Sequence, residues 1–341
     1  SDLCDSLVSV IINGVECQIN SLGLPITAPW NDGSNTYFKV SFRSGTDSQV
    51  IDPIILARFP GEDANFRQRG ICTVVMEMTF GSSADHHTQL WGAGGIPQLA
   101  FKIKGLKVYD ERDATQSAAD KTTWRWSDTA SLCEADWMNC KLGFEIPHAS
   151  IDGVGESATF DEQMIPTLTG SEKRGTINGE VLSSEANTDV LDAMCQQNRA
   201  LIRTTLGTYT LTSEEPADPI CTIHQGLLVG ALAYQNEPSK REAINRVDVQ
   251  FYPESRFNQA SETAYEDAVQ AGIDGESLPR RISLRFCDSP STAQRLAYGI
   301  YVENRVGRTI TGLYDIASII AAGKPLGQLL EAGDCVREEM R

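Results

Sequence analysis

Alternation of apolar and polar residues over short segments constrains the fold of this 341-residue chain more than any other feature. From Tyr37 to Arg43, every second residue is apolar and the residues between are polar. Successive side chains of a strand point to opposite faces, so this pattern predicts a strand with one buried face. The segments Leu7 to Ile12 and Val15 to Ile19 flank Asn13-Gly14, a dipeptide that accepts positive φ in tight turns, and they predict a β-hairpin.

Two more segments of the first 112 residues predict strands. Ile71 to Phe80 is rich in β-branched and large apolar residues, and Leu99 to Tyr109 alternates apolar residues with lysines. Gly105 interrupts the second segment and predicts a bulge or bend there. Four or more such strands without a long helical repeat between them indicate an antiparallel sandwich or small barrel over residues 1–112.

Residues 113–240 lack this regularity and predict an inserted, mixed α+β region. One helix is expected near Ala130 to Leu142. A second is expected from Asp189 to Arg203, where apolar residues recur at helical spacing, with Thr188 capping its start and Gly207 its end.

Residues 241–341 return to strands and predict a C-terminal β domain with a helix. Val247, Val249 and Phe251 alternate in one strand, and Ile282, Leu284 and Phe286 in another. Ser289-Pro290 is a cap and first-turn pair, and it opens a helix with an apolar stripe of Ala293, Leu296, Ala297, Ile300 and Tyr301. The whole chain is thus expected to be mixed, mainly β (α+β), with two barrel- or sandwich-like β domains, an inserted subdomain and a few amphipathic helices.

Charge and cysteine usage limit the possible partners. The net charge of -17 argues against specific nucleic-acid binding, because phosphate contacts need clustered Lys and Arg. Acidity suits a surface past which DNA slides without sticking, and it equally suits an ordinary soluble acidic protein.

Nine cysteines without a Cys-x-x-Cys pair indicate reduced core thiols and folding in a reducing cytoplasm. The longest apolar stretch, Gly226 to Tyr234, is too short for a membrane helix, and the first residues do not form a secretion signal.

Motifs of enzymatic chemistry are weak, so no catalytic, cofactor-binding or metal-binding residue and no cofactor is predicted. Only His86, His87, His148 and His224 are present, and the adjacent pair is interpreted as part of a polar loop between two strands. No Gly-x-Ser-x-Gly occurs, and Cys133 with His148 is the least unfavourable thiol pair. We interpret Cys133 as a buried structural thiol.

Two glycine-rich segments and one acidic segment are interpreted as loops. Gly153 to Ala158 has dinucleotide-like spacing, but no apolar strand precedes it, and a turn with Pro166 follows where the helix should run. Gly92 to Gly95 lacks the Lys-Ser/Thr pair of a phosphate loop and predicts a turn. Glu214, Glu215 and Asp218 lie in a Pro-flanked segment and predict a solvated loop rather than a glycosidase pair.

Several segments, in order, resemble the hub region of siphophage tail tip proteins of the lambda tip attachment protein J type. The strongest are Arg69 to Cys72, Gly95 to Gly105 and Lys107 to Arg112, followed by Trp126 to Asp136. Further similarity continues through the Asp189 to Arg203 segment and residues 207–211, 245–253 and 330–336. The resemblance covers roughly residues 65 to 341.

The resemblance implies a non-enzymatic hub at the distal end of the virion tail, made in the host cytoplasm. Two β domains from each of three subunits would form a pseudo-sixfold ring that joins the tail tube to the tip and closes or gates the channel for DNA ejection. The implied partners are two further copies of the chain, tail tube and distal tail proteins, the tape-measure protein and other tip or fibre proteins, without stable membrane insertion. A hydrolytic or carbohydrate-binding tip module that assists envelope penetration is the alternative.

Overall fold

The computed structural model describes residues 4–61, 66–93, 95–168, 170–205, 207–214, 221–224, 230, 233–235, 242–253, 259–305, 309–311 and 336–339. The chain divides into two compact units, Ser1–Ser127 and Asp128–Arg341. The division into three parts at residues 112 and 240 remains a prediction.

Strands predominate in the first unit. In chain order its elements are β1 (Cys4–Ile12), β2 (Val15–Gln18), β3 (Phe38–Arg43), α1 (Pro53–Arg58), β4 (Thr73–Met78), α2 (Ala84–Trp91), β5 (Leu99–Val108) and β6 (Arg125–Trp126). They form a four-stranded sheet in the order β2-β1-β5-β6 and a two-stranded sheet of β3 and β4.

The predicted hairpin is confirmed. Strand β1 pairs antiparallel with β2, and Ile12 lies opposite Val15. Asn13 and Gly14 have φ values of 50° and 82°. A two-residue hairpin turn whose twist matches that of the flanking strands requires positive φ at both positions. The Asn13 side chain also donates to the Trp91 carbonyl at 3.0 Å, so the turn is fixed to the end of α2.

The irregularity predicted at Gly105 lies elsewhere. Strand β5 pairs regularly through this position, with Lys104 opposite Ser6 and Leu106 opposite Cys4. The register shifts instead between Leu7 and Ser9, where β1 carries one extra residue, Val8. The prediction was wrong because a glycine in a strand permits a bulge but does not require one.

The core of the first unit joins its two sheets. Val10 and Ile12 of β1 pack with Phe38 and Val40 of β3, and Leu90 and Trp91 of α2 belong to the same cluster. Fully burying each such side chain contributes about 1.5–3 kcal/mol.

The second unit has more helices. Its elements are α3 (Ala130–Asn139), β7 (Ile151–Asp152), α4 (Val154–Asp161), β8 (Met164–Pro166), β9 (Ser171–Lys173), α5 (Asn187–Asn198), β10 (Leu201–Thr205), β11 (Thr208–Thr212), β12 (Cys221–His224), β13 (Ala233–Gln235), β14 (Arg246–Phe251), β15 (Ser261–Glu266), α6 (Ala268–Asp274), β16 (Pro279–Leu284), α7 (Pro290–Arg305), β17 (Thr309–Thr311) and β18 (Val336–Glu339).

Sheet β15-β14-β16 and helix α7 form the clearest layered element of this unit. Strand β14 lies in the centre, antiparallel to β15 and parallel to β16. Val247, Val249 and Phe251 are buried against α7, in a cluster that includes Ala293 and Leu296. The predicted strand around residues 247–251 and the helix after Ser289 are confirmed. The strand predicted over Ile282, Leu284 and Phe286 ends at Leu284, and Phe286 lies in the turn that follows.

The helix predicted from Asp189 to Arg203 is partly wrong. Helix α5 begins at Asn187, after Ala186 as the capping residue, and ends at Asn198, where Arg199 adopts a left-handed φ of 58°. Residues 201–205 then form β10, which turns back at Gly207 to pair with β11. Leu201 therefore lies on a strand and is exposed, although its spacing suggested the helical stripe.

The expected fold class is confirmed, since the chain is mixed α+β with mostly strands. The helix predicted near residues 130–142 is α3. Among the residues that the structure describes, no helix combines the length and the apolarity needed to cross a bilayer.

Candidate functional site

The pair His86 and His87 lies on helix α2 and not in a polar loop, so that interpretation was wrong. Ser83 caps the helix by accepting from the His86 N–H at 3.2 Å, and Leu90 and Trp91 anchor its far end in the core. His86 meets the Tyr37 ring edge-on at 4.9 Å, and His87 stacks on Phe80 at 5.0 Å. His224 lies on β12.

Cys133 lies on α3 and His148 in a short 3₁₀ turn. Burial, followed by the charges of Asp136 and Glu134, raises the pKa of the Cys133 thiol. A raised pKa favours the protonated thiol, which is a poor nucleophile. In the described part of the chain, no group of three or more His, Cys, Asp or Glu residues could hold a metal ion.

The segment Gly153 to Ala158 was predicted to be a loop, and this was wrong. It opens helix α4, after the two-residue strand β7. Gly153 has a φ of 76°, and a Cβ placed there would lie 2.4 Å from the Leu211 carbonyl oxygen, so only glycine fits this turn under β11. A strand of two residues is too short to leave a pattern in the sequence.

The remaining loop predictions concern residues 92–95 and 214–218. Gly92 directly follows α2 and ends it. Glu214 is exposed and forms an ion pair with Arg199. Gly94, Glu215 and Asp218 lie outside the described residues.

An acidic cluster is buried where α3, α4, α5 and the end of β11 meet. Its members are Ser131, Glu134, Asp161, Asn198 and Ser213. The Asp161 carboxylate accepts from the Ser131 N–H at 3.0 Å, from the Ser213 hydroxyl at 3.2 Å and from the Asn198 amide at 3.3 Å. These contacts join four elements through one side chain.

Glu134 is the least satisfied member of the acidic cluster. It is fully buried, and its carboxyl oxygens have no close hydrogen bond among the described residues, although the Asn198 amide lies near enough to oppose the rise in its pKa. Burial, and then the charge of Asp161, raises the pKa of Glu134 to about 8. Glu134 is therefore largely protonated and uncharged at neutral pH.

A cleft of about 340 Å³ opens elsewhere in the second unit, beside α7. We call it the Arg174 cleft. Its polar lining includes three arginines, two glutamates and two amides, which are Arg174, Arg199, Arg295, Glu214, Glu303, Gln197 and Asn198. Phe160, Leu296 and Val302 contribute apolar walls.

Two of the three arginines in the cleft have carboxylate partners. Arg199 forms ion pairs with Glu214 and Glu303, which raise its pKa against the effect of burial. Arg295 lies 2.7 Å from Glu172 of β9. Arg174 has no such partner in the described part of the chain, and its guanidinium stacks 4.4 Å from the Phe160 ring centroid.

The edges of sheet β15-β14-β16 differ in charge. Strand β15 exposes Glu262 and Glu266, whereas β16 exposes Arg280 and Arg281. Within the described residues each strand pairs on one side only, with β14. An edge strand with an unpaired backbone can bind another strand, and opposite charges favour the contact of one edge with the other.

Sequence reasoning missed the acidic cluster and the Arg174 cleft. Glu134 lies four residues before the buried Met138, and Gln197 three residues after the buried Met194, so both occupy helical stripes that face the interior. That spacing could have revealed both. Arg174 follows a three-residue strand and has no comparable signal.

Comparisons with known proteins identify a solved structure with a similar fold. No family model matches the sequence, and no curated protein matches it. The chain is similar to a chain in a structure of the virion of native gene transfer agent (GTA) particle, with 16% identity and a TM-score of 0.52 over 91% of this chain. It covers 65% of that chain, and so spans less than two thirds of its length.

The chain also matches a 43 kDa tail protein of prophage MuSo2 from Shewanella oneidensis. The identity is 12% and the TM-score 0.31, over 90% of this chain and 81% of that chain.

Proposed function

We propose that this chain is a structural protein of a phage-type tail, and specifically a trimeric hub at the distal tip. In this role it joins the tail tube to the tip and closes or gates the channel for DNA ejection. The observation that carries the proposal is the fold similarity to a chain of the gene transfer agent virion over 91% of the residues. The ordered sequence resemblance to siphophage hub proteins supports it independently.

The sheet edges support assembly with identical copies. The acidic edge β15 and the basic edge β16 lie on opposite sides of one sheet, so the two edges of neighbouring subunits can meet in a head-to-tail contact. Such a contact is heterologous and generates a ring when the rotation closes. Tail tube, distal tail, tape-measure and other tip or fibre proteins are the further partners of this proposal.

A non-enzymatic role belongs to the same proposal. Burial raises the pKa of the Cys133 thiol, and helix α2 places His86 and His87 against aromatic rings. These positions suit packing better than nucleophilic catalysis.

The test is immunogold labelling of this chain on intact particles from its source, viewed by electron microscopy. We expect gold at the distal end of the tail. Label confined to heads or side fibres would overturn the hub assignment. Mass photometry of the purified chain tests the trimer separately, since the charge reversal Arg281→Glu should weaken self-association and a second reversal, Glu262→Arg, should restore part of it.

A further inference from the structure

Arg174 is a cation that the fold holds in place without neutralising it. Its guanidinium stacks on Phe160, its Nε is buried, and that Nε has no hydrogen-bond partner in the described part of the chain. Stacking fixes the plane of the guanidinium, and a fixed plane suits bidentate recognition of a carboxylate. The side chain is thus preorganised for an anionic group that enters the cleft.

Gln197 provides a second, independent observation in the same cleft. Gln197 is 1% exposed, and apart from the Cys287 thiol its amide has no hydrogen-bond partner among the described residues. A buried amide with so few partners is costly, because side-chain amides of this kind normally find several hydrogen bonds. The Gln197 amide offers one acceptor and two donors, which complement the N–H and C=O groups of a peptide backbone.

The other side chains of the cleft select among anions. Glu214 and Glu303 line it and hold Arg199, so a doubly charged phosphate would meet like charges. A single carboxylate at Arg174 avoids most of this repulsion. Leu296 and Val302 offer an apolar wall, and the volume of about 340 Å³ is within the roughly 300–1,000 Å³ of small-ligand sites.

We propose that the Arg174 cleft binds a short acidic peptide segment. A Glu or Asp carboxylate of that segment would accept from the Arg174 guanidinium, its backbone would pair with Gln197, and a neighbouring apolar side chain would pack on Leu296 and Val302. The inference rests on the cleft itself and not on the proposed tail function.

The test uses the purified full chain and two probe peptides, acetyl-Leu-Glu-Leu amide and acetyl-Leu-Gln-Leu amide. Binding is followed by NMR at the Nε–Hε resonance of Arg174 in protein labelled with ¹⁵N-arginine, and this resonance is assigned by its loss in Arg174→Lys. The Glu peptide should bind roughly tenfold to a hundredfold more tightly than the Gln peptide, because a charge-assisted bidentate pair is replaced by a neutral contact.

Variants locate the interaction. Arg174→Met should remove the preference for the Glu peptide, with binding then followed on the other arginine resonances of the cleft. Gln197→Met should weaken both peptides by a similar factor and leave their ratio unchanged. The control Arg58→Met, at the exposed end of α1 in the first unit, should bind like the unmodified chain.

Three outcomes would overturn the proposal. One is equal affinity of the chain for the two peptides. Another is an Arg174→Met variant that still prefers the Glu peptide to the Gln peptide as strongly as the unmodified chain does. The third is tighter binding of inorganic phosphate or of an oligogalacturonate than of the Glu peptide, which would reassign the ligand class. Arg174→Lys keeps the positive charge but lacks the planar guanidinium. If Arg174→Met fails to fold, Arg174→Lys is used in its place to test the preference for the Glu peptide.

Discussion

The two units differ in how they shift the pKa of their carboxyl groups. In the first unit the shifted groups lie at or near the surface, and hydrogen bonds from neighbouring side chains and backbone lower the pKa of Asp32, Asp110, Asp113 and Asp120. The second unit also has carboxyls whose pKa is lowered, such as Glu172 and Asp267, but there burial raises the pKa of Glu134, Asp161 and Asp288. Among the described residues, carboxyls that burial shifts toward their uncharged form are thus a feature of the second unit.

This contrast follows from how each interior is built. The first unit closes an apolar core between its two sheets. The second unit brings α3, α4 and α5 together around Asp161, where serine hydroxyls and amides take the place of apolar contacts. Buried polar groups whose hydrogen bonds are all made specify a unique packing of the interior. Each buried ionisable group, however, makes the free energy of unfolding depend on pH.

The largest effect is expected in the apolar core of the first unit. Phe38 is 2% exposed, so Phe38→Ala should lower the free energy of unfolding by about 3–5 kcal/mol through lost burial and a cavity. Urea unfolding followed by tryptophan fluorescence measures the change. Phe80, which is 80% exposed, provides the matched control, and an equal loss in Phe80→Ala would contradict the assigned core.

The second prediction concerns pH and the acidic cluster. The pKa of Glu134 is raised from 4.5 to about 8, so the folded state retains a proton that the unfolded state releases. Between about pH 5 and pH 8, stability should fall with rising pH by about 1.4 kcal/mol per unit for this one group. Glu134→Gln should remove most of that slope.

Urea titrations at three pH values in this interval measure the slope. Glu156 lies exposed on α4 and is the control, because Glu156→Gln should leave the slope unchanged. A slope that persists in Glu134→Gln would show that another group causes it.

The third prediction compares two glycines with similar φ, Gly14 in the first unit and Gly153 in the second. A Cβ at Gly14 meets no atom within 4 Å, whereas at Gly153 it lies 2.4 Å from a β11 carbonyl oxygen. Gly14→Ala should cost about 1 kcal/mol, and Gly153→Ala about 3 kcal/mol or more, because a clash adds to the backbone strain. Thermal unfolding compares them, and equal losses would refute the packing of Gly153 against β11.

The smallest effect is expected at Glu172, which joins β9 to the start of α7. Burial disfavours its charged form, but the hydroxyls of Ser289 and Ser291 and the guanidinium of Arg295 outweigh this and lower its pKa. Glu172→Gln should cost about 1–2 kcal/mol at pH 7. In a double-mutant cycle with Arg295→Met, a coupling energy near zero would contradict the ion pair.

Periodicity predicted the elements that dominate the fold. Strands β3 and β14 and helix α7 were recognised because each buries one face, which leaves a period of two or of 3.6 residues. The end of α5 was missed because Leu201 continues the helical spacing while Arg199 turns the backbone to the left. Helix α2 was missed because two histidines obscured its apolar end, although Ser83 is a good capping residue.

Contacts between distant residues account for what sequence could not provide. Arg174 acquires its place in the cleft from Phe160 and from residues of α7 more than 100 positions away. No local sequence pattern encodes a contact between residues so far apart in the chain. Glu134 and Gln197 lay on recognisable apolar stripes, but how few hydrogen-bond partners they have depends on the residues that the other helices supply.

Strand β1 is translated well before β5, one of its two neighbours in the sheet, which begins at Leu99. At roughly 5–20 residues per second, translation keeps that edge without its partner for about 5–20 s. During this interval the nascent chain presents an open, apolar strand edge, which favours pairing between chains on one polysome. A chaperone that covers residues 4–12 during synthesis should therefore increase the yield of folded protein more than one added after release.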